Sequence, residues 1–176
     1  MQTAVFPTSL GEFVIGWTDA GICRLLLPDS DPDRLRQQLG GEPADPPPNI
    51  ADAIALIQRY ADGERVDFAS VPLDITSLPE FHRRAYALLM ELGYGETTTY
   101  GAMACQLGDV GLSRAVGHAM GANPIPLIIP CHRVLGANGS LGGFSAPGGG
   151  DSKRRLLLLE GARTSAAPAA QLALDF

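Results

Sequence analysis

Residues 98–121 read TTYGAMACQLGDVGLSRAVGHAMG. Thr98 or Thr99 can cap a short helix over residues 100–107, because a threonine hydroxyl accepts from an otherwise unpaired N–H of the first turn. Gly108-Asp109-Val110-Gly111 follows as a turn. Residues 113–120 then read as a second helix, with Ala115, Gly117, Ala119 and Gly121 giving it an unusually small face. Two short helices joined by a four-residue, glycine-containing turn have the spacing of a helix-turn-helix. Any αα corner has the same pattern and is commoner, so pattern alone leaves both open.

Working outward, Pro79 suits the first position of a helix in which Phe81, Ala85, Leu88, Leu89 and Leu92 recur on one face. The first third is different. Short apolar runs at 4–6, 13–17 and 22–27 are separated by glycine-containing connections, which predicts hairpins. A polar helix is expected over 32–39, a Pro/Gly loop over 40–49, and a helix over 51–60 that Gly63 stops. Downstream, an apolar strand at 127–129 ends at Pro130-Cys131-His132-Arg133. A glycine-rich loop covers 136–150, long enough to suggest function. A last helix over 152–161 has Ser152 near its N-cap and Gly161 as its stop. The organisation is a β-rich module (1–78), a mainly helical domain (79–163), and a linker with a short apolar tail (164–176). The fold class is α/β (α+β).

The 176 residues carry a net charge of −6 and a pI near 4.9, which argues against nucleic acid if taken alone. The distribution matters more. Residues 1–78 hold five arginines against twelve acids, a net of −7; residues 79–163 hold seven arginines and one lysine against six acids, a net of +2. No apolar run approaches a membrane span, and residues 1–10 lack a positive n-region and an apolar h-region. The expectation is a cytoplasmic chain. Three cysteines (Cys23, Cys105, Cys131) do not build a disulfide framework and leave any of them free to work as a thiol. Cys23 has no nearby Cys or His, so no metal or cofactor is expected. Gly148-Gly149-Gly150-Asp151-Ser152-Lys153 lacks the ending of a phosphate loop. The single lysine beside twelve arginines reads as codon bias.

Cys131 is the sharpest chemical candidate, with His132 next to it. A free thiol is mostly protonated at neutral pH, and a histidine can raise its thiolate fraction. Adjacent side chains can also point apart, and cysteine is among the most buried residue types, so an inert core cysteine stays an open reading.

Ile129-Pro130-Cys131-His132-Arg133-Val134 resembles the active-site motif of the O6-alkylguanine-DNA alkyltransferases (methylated-DNA–protein-cysteine methyltransferases). The resemblance runs over residues 81–162. It includes Tyr94-Gly95-Glu96, Thr99-Tyr100, Ser113-Arg114-Ala115-Val116-Gly117, Asn123-Pro124, Gly143-Phe144-Ser145 and Leu159-Glu160-Gly161. Residues 1–78 match weakly, mostly through the hairpin around Gly11. The resemblance implies a ribonuclease-H-like N-terminal module and a helix-turn-helix C-terminal domain. It implies single-turnover transfer of an alkyl group from guanine O6, and O4 of alkylated thymine, to Cys131. His132 would activate the thiol through a water, and Glu160 would support His132. Tyr100 would serve N3 of the leaving base and the Ser145 N–H its O6, with the Cys131 and Val134 carbonyls taking the exocyclic amine. Phe144, standing where many relatives have tyrosine, and Asn123 belong to the implied base pocket. The partner would be double-stranded DNA with the alkylated guanine flipped out, Arg114 filling the space and Ala115, Gly117 and Ala119 facing the minor groove. A monomer at the nucleoid of a bacterial cytoplasm is expected. A binding-only lesion sensor and, further off, a cysteine hydrolase are the competing classes.

Gln171-Leu172-Ala173-Leu174-Asp175-Phe176 resembles the Gln-Leu-x-Leu-x-Phe peptide that docks on bacterial sliding clamps through Gln171, Leu172, Leu174 and Phe176. An incidental apolar terminus is the equal alternative.

Overall fold

Alternating apolar residues and tight glycine-containing connections build a meander of β1 (Gln2–Thr8), β2 (Gly11–Thr18) and β3 (Gly21–Leu26). The computed structural model describes residues 1–29, 35, 37 and 39–162. β1 and β2 pair antiparallel from Gln2↔Trp17 to Thr8↔Gly11, and β2 pairs antiparallel with β3. The expected loop at 40–49 contains a two-residue strand, β4 (Glu42–Pro43), which pairs parallel with β1 and completes the sheet order β3-β2-β1-β4. The expected helix over 32–39 lies mostly outside the described residues, as does the segment 164–176 with the clamp-like peptide.

Helix α1 (Pro48–Ala61) begins earlier than expected because its prolines suit a first turn, where no N–H is needed. Its buried face, Ile50, Ala53, Ile57 and Tyr60, belongs to the same core as Phe13, Ile15 and Trp17 of the sheet. Each fully buried aliphatic side chain there contributes about 1.5–3 kcal/mol. Helix α2 (Glu80–Met90) takes Pro79 as its N-cap, not its first residue, and adds Tyr86 to the expected apolar face.

β5 (Thr98–Thr99) leads directly into α3 (Tyr100–Gln106), with the Thr99 hydroxyl accepting from the Ala102 N–H at 3.1 Å. A 3-10 turn (Val110–Leu112), capped by Asp109, delivers α4 (Ser113–Gly121). The two helices and their turn therefore stand where the spacing put them, in the helix-turn-helix that the family resemblance implies. β6 (Val134–Leu135) pairs parallel with β5, and α5 (Gly149–Leu159) closes the described chain. The N-cap of α5 is Gly148 in the left-handed region, not Ser152, whose hydroxyl instead donates back to the Pro147 carbonyl. One hydrophobic cluster runs from Phe6 and Phe13 through Tyr60 and Tyr86 to Cys131 and Leu156, so the sheet and the helical part share a core. The Leu25 N–H of β3 donates to the Pro124 carbonyl at 2.9 Å, which braces the turn ahead of Cys131 against the sheet. Among the described residues no helix is long and apolar enough to cross a membrane.

Candidate active site

The expected strand at 127–129 does not form, and only an isolated bridge pairs Pro126 with Ile129. Residues 123–130 form a bend in which Leu127 adopts φ 80°, a left-handed conformation that costs a side chain roughly 1–3 kcal/mol and must be held by its surroundings. Asn123 does the holding. Its Nδ2 donates to the Ile129 carbonyl at 2.8 Å, and its Oδ1 accepts from the Ile125 N–H at 3.0 Å. Cys131 then opens a 3-10 turn (Cys131–Arg133). Successive side chains of such a turn are rotated by about 120°. Cys131 consequently lines the surface cleft while His132 and Arg133 both reach Glu160.

Glu160 is the hub of the buried side. Its Oε1 accepts from His132 Nε2 at 2.7 Å, Tyr60 Oη at 2.7 Å and Arg133 Nη2 at 2.9 Å. Its Oε2 accepts from Arg133 Nε at 2.8 Å and the Gly95 N–H at 3.1 Å. Gly95 sits at φ 77° with the Glu160 carbonyl only 2.7 Å from where a Cβ would stand, so glycine is required there on both counts. Burial by itself would raise the Glu160 carboxyl, but the His132 and Arg133 hydrogen bonds and charges pull it down to about 2. An ionised carboxylate only accepts, which places the His132 proton on Nε2. His132 is fully buried, and burial lowers its pKa, so the resting ring is neutral. Its Nδ1 is buried with no hydrogen-bond partner, leaving a lone pair able to take a proton.

Cys131 is 4% exposed, and burial pushes its thiol up. The Asn123 side chain, the Lys153 charge and nearby backbone N–H groups pull the other way. The thiol is thus protonated at rest.

The cleft above Cys131 has a volume of about 740 Å³ and is lined by Tyr100, Arg114, Gly117, Gly143, Phe144 and Ser145 among others. Tyr100 arrives because β5 pairs with β6 immediately after the Cys131 turn. Its ring is walled by Gly142, where a Cβ would stand 3.5 Å from the phenol, and Gly142 also has φ 64°. Ser145 is exposed, with its hydroxyl donating to the Gly121 carbonyl at 2.9 Å. Arg114 is exposed in the first turn of α4. Among the described residues, none of the acidic stretch 1–78 lines this cleft. A second cleft of about 650 Å³ reaches Cys131 and Asn123 from the sheet side, past Arg24 and Asp29.

One expected surface residue is not on the surface. Ala119 is fully buried, on the Val116-Ala119-Met120 core face of α4, and its carbonyl accepts from Tyr86 Oη at 2.7 Å. Positions 115, 117 and 119 follow a period of two, which a helix of 3.6 residues per turn cannot place on one face. Ala115 and Gly117 remain partly exposed.

Three residues join the site that sequence reading did not single out. Arg133 grips Glu160 through a two-bond fork and donates to the Leu92 carbonyl at 2.7 Å. Tyr60 comes from the sheet part. Lys153 is fully buried, donates to the Val134 carbonyl at 2.6 Å and lies 5.9 Å from the Tyr100 ring centre. Burial lowers its pKa to about 8, with Cys131 opposing. The signal was present: the one lysine in a chain with twelve arginines marks a place where a compact ammonium is needed.

Residues 80–162 match the 6-O-methylguanine DNA methyltransferase DNA-binding domain, and residues 1–75 match the ribonuclease-like domain of the same proteins. The methylated-DNA–protein-cysteine methyltransferase of Mycolicibacterium paratuberculosis is 45% identical over 114 residues, covering 65% of this chain and 67% of the relative. The constitutive enzyme of that name from Bacillus subtilis is 35% identical over 138 residues, covering 78% and 82%. Mycobacterium tuberculosis OGT, crystallised in complex with DNA, superposes with a TM-score of 0.75 at 32% identity, covering 91% of this chain and 92% of that one. With both halves matched and a thiol, an imidazole and a carboxylate arranged as above, the chain belongs to the 6-O-methylguanine DNA methyltransferase family, DNA-repair proteins that transfer the alkyl group to a cysteine of their own.

Proposed function

We propose that Cys131 is the alkyl acceptor and that the base-bearing nucleotide enters the 740 Å³ cleft above it. The observation that carries this is a cleft-lining Cys131 followed directly by a buried, neutral His132 whose Nε2 meets ionised Glu160 at 2.7 Å. His132 Nδ1 takes the thiol proton, through a water as the family resemblance implies, and the thiolate displaces guanine from the alkyl carbon. The C–O bond breaks, an S–C bond forms, and the electron pair passes to the guanine. Tyr100 donates to that base at N3, while the Ser145 N–H faces O6. A soft sulfur suits attack at an sp³ carbon, and the resulting thioether has no easy hydrolysis route. Lys153 holds the Val134 carbonyl and places positive charge near the thiolate. Its neutralisation above about pH 8 would weaken that support.

DNA approaches α4, with Arg114 entering the stack as the nucleotide leaves, an exchange that costs a few kcal/mol of stacking and pairing. Ala115 and Gly117 let the backbone come close. The net +2 of residues 79–163 implies modest affinity with a visible salt dependence, not a strongly basic grip. The site of action is the DNA of a bacterial cytoplasm, with the protein as a monomer. Incubation with a duplex carrying labelled O6-methylguanine tests the reading. A burst of one methyl group per protein, found on Cys131, is expected; repeated turnover would establish a hydrolase, and binding without transfer a lesion sensor.

A second reading concerns residues 171–176, whose Gln171, Leu172, Leu174 and Phe176 match the clamp-docking pattern. Deleting the last six residues should remove binding to a bacterial sliding clamp and leave methyl transfer on short duplexes unchanged. Clamp binding that survives the deletion rejects this reading.

A further inference from the structure

The sheet part reaches the reacting groups at one buried point. Tyr60, in the last turn of α1, places its hydroxyl 2.7 Å from Glu160 Oε1, across 100 residues of sequence. Its ring is fixed independently of that bond, tilted on Phe68 at 6.0 Å and edge-on to Tyr94 at 5.9 Å. Glu160 is also fixed independently, by the Arg133 fork and the Gly95 N–H. The Tyr60 hydroxyl is therefore not needed to place the carboxylate. What it does is compete. Oε1 already receives His132 Nε2 and Arg133 Nη2, and a carboxylate oxygen has two in-plane lone pairs to share among three donors.

We propose that Tyr60 is a positioning residue for alkyl transfer, through which the N-terminal sheet part sets how much of the Glu160 charge is available to His132. This rests on the Cys131–His132–Glu160 relay proposed above. The phenol draws on the negative charge that would otherwise stabilise the His132 imidazolium as it forms. It thereby restrains deprotonation of Cys131. Burial pushes the Tyr60 phenol up, so it stays a donor throughout the working pH range. The other charged or titratable groups acting on Tyr60, Glu160 and His132 are Arg133 on the same turn as His132, Lys153 from α5 and Tyr94 from the loop after α2. Among the described residues that bond Glu160 directly, Tyr60 alone comes from the sheet part.

Tyr60→Phe removes the hydroxyl and keeps the ring. The measurement is the pH profile of Cys131 reactivity in the full chain, read two ways. One is methyl transfer from an O6-methylguanine duplex. The other is alkylation by iodoacetamide, followed on the Cys131 peptide so that Cys23 and Cys105 do not interfere. The acid limb, where His132 loses its proton and becomes a base, is expected to move up by about half a pH unit or more in both assays, with about a threefold gain in thiolate on the plateau above it. Phe68→Leu, which loosens the ring packing and keeps the hydroxyl, is expected to leave the midpoint in place. An unmoved midpoint in Tyr60→Phe overturns the proposal, as does a downward shift or an equal shift in Phe68→Leu. His132→Gln separates this from failure of the relay itself. If that variant keeps the wild-type acid limb, the relay is wrong and the proposal falls with it. If it loses the limb while Tyr60→Phe does not move it, the relay stands and only the role of Tyr60 is lost.

Discussion

Cys131→Ala abolishes methyl transfer and leaves affinity for the lesion duplex within about threefold, because phosphate contacts and not the thiol supply most of the binding. The fold should tolerate it. Cys131 is small, sits at the edge of the shared core and loses one sulfur, at a cost of about 1 kcal/mol. Neither remaining cysteine can substitute. Cys105 is exposed on α3, outside the lining of the cleft, and the Cys23 thiol is turned inward, donating to the Gly16 carbonyl at 3.5 Å. Burial and the Asp74 charge raise its pKa, which keeps it a thiol. Labelled O6-methylguanine duplex, with protein label and gel mobility read on the same sample, checks both halves. Label on Cys23 or Cys105 in the variant would show that the acceptor was misassigned. Loss of binding together with transfer would show that the thiol helps hold the base.

What was legible in advance follows from how local the causes are. The two short helices depend on caps and a turn within 24 residues, and the hairpins on glycines between short apolar runs, so both read directly from spacing, while the choice of a helix-turn-helix over any αα corner came from the family resemblance. The Cys131–His132–Glu160 set was legible only through family resemblance, since 28 residues separate His132 from its carboxylate. Nothing in the Tyr60 segment announces a partner 100 residues away, and nothing in Tyr94-Gly95-Glu96 shows that Gly95 must yield to the Glu160 backbone. The apolar run at 127–129 looked like a strand because composition cannot reveal that Asn123 ties its carbonyls and amides into a bend. Ala119 was misplaced for a different reason: smallness was read as exposure, although small residues also let helices pack closely. Lys153 shows the converse. A compositional oddity set aside as codon usage is the buried ammonium whose charge acts on the Cys131 thiol.

Glu160→Gln should lower methyl transfer by about a hundredfold or more at pH 7.5, since an orienting carboxylate that also stabilises an imidazolium is worth that much or more in other histidine relays. It should also destabilise the fold. Gln keeps the shape, but one of its termini is now an amide nitrogen. Turned toward Oε2 it faces the Arg133 Nε–H and the Gly95 N–H; turned toward Oε1 it faces His132, Tyr60 and Arg133. Either way donors meet donors, and the Arg133 guanidinium is left buried without its counter-charge, a loss of roughly 3–5 kcal/mol. The pH dependence gives the argument a second handle. The native carboxyl titrates at about 2, below its ordinary value near 4.3 in the unfolded chain, so the unfolded state binds the proton first as pH falls. The stabilisation is fully present above about pH 5 and is lost as pH falls through the native value near 2. Over that window it amounts to about 3 kcal/mol. Denaturant titrations of the wild type and Glu160→Gln should therefore stand well apart at pH 7 and converge toward pH 2. A constant gap across that window would mean that Glu160 contributes packing and not charge. The low transfer rate would then have to be traced to a displaced His132 instead of an unbalanced one.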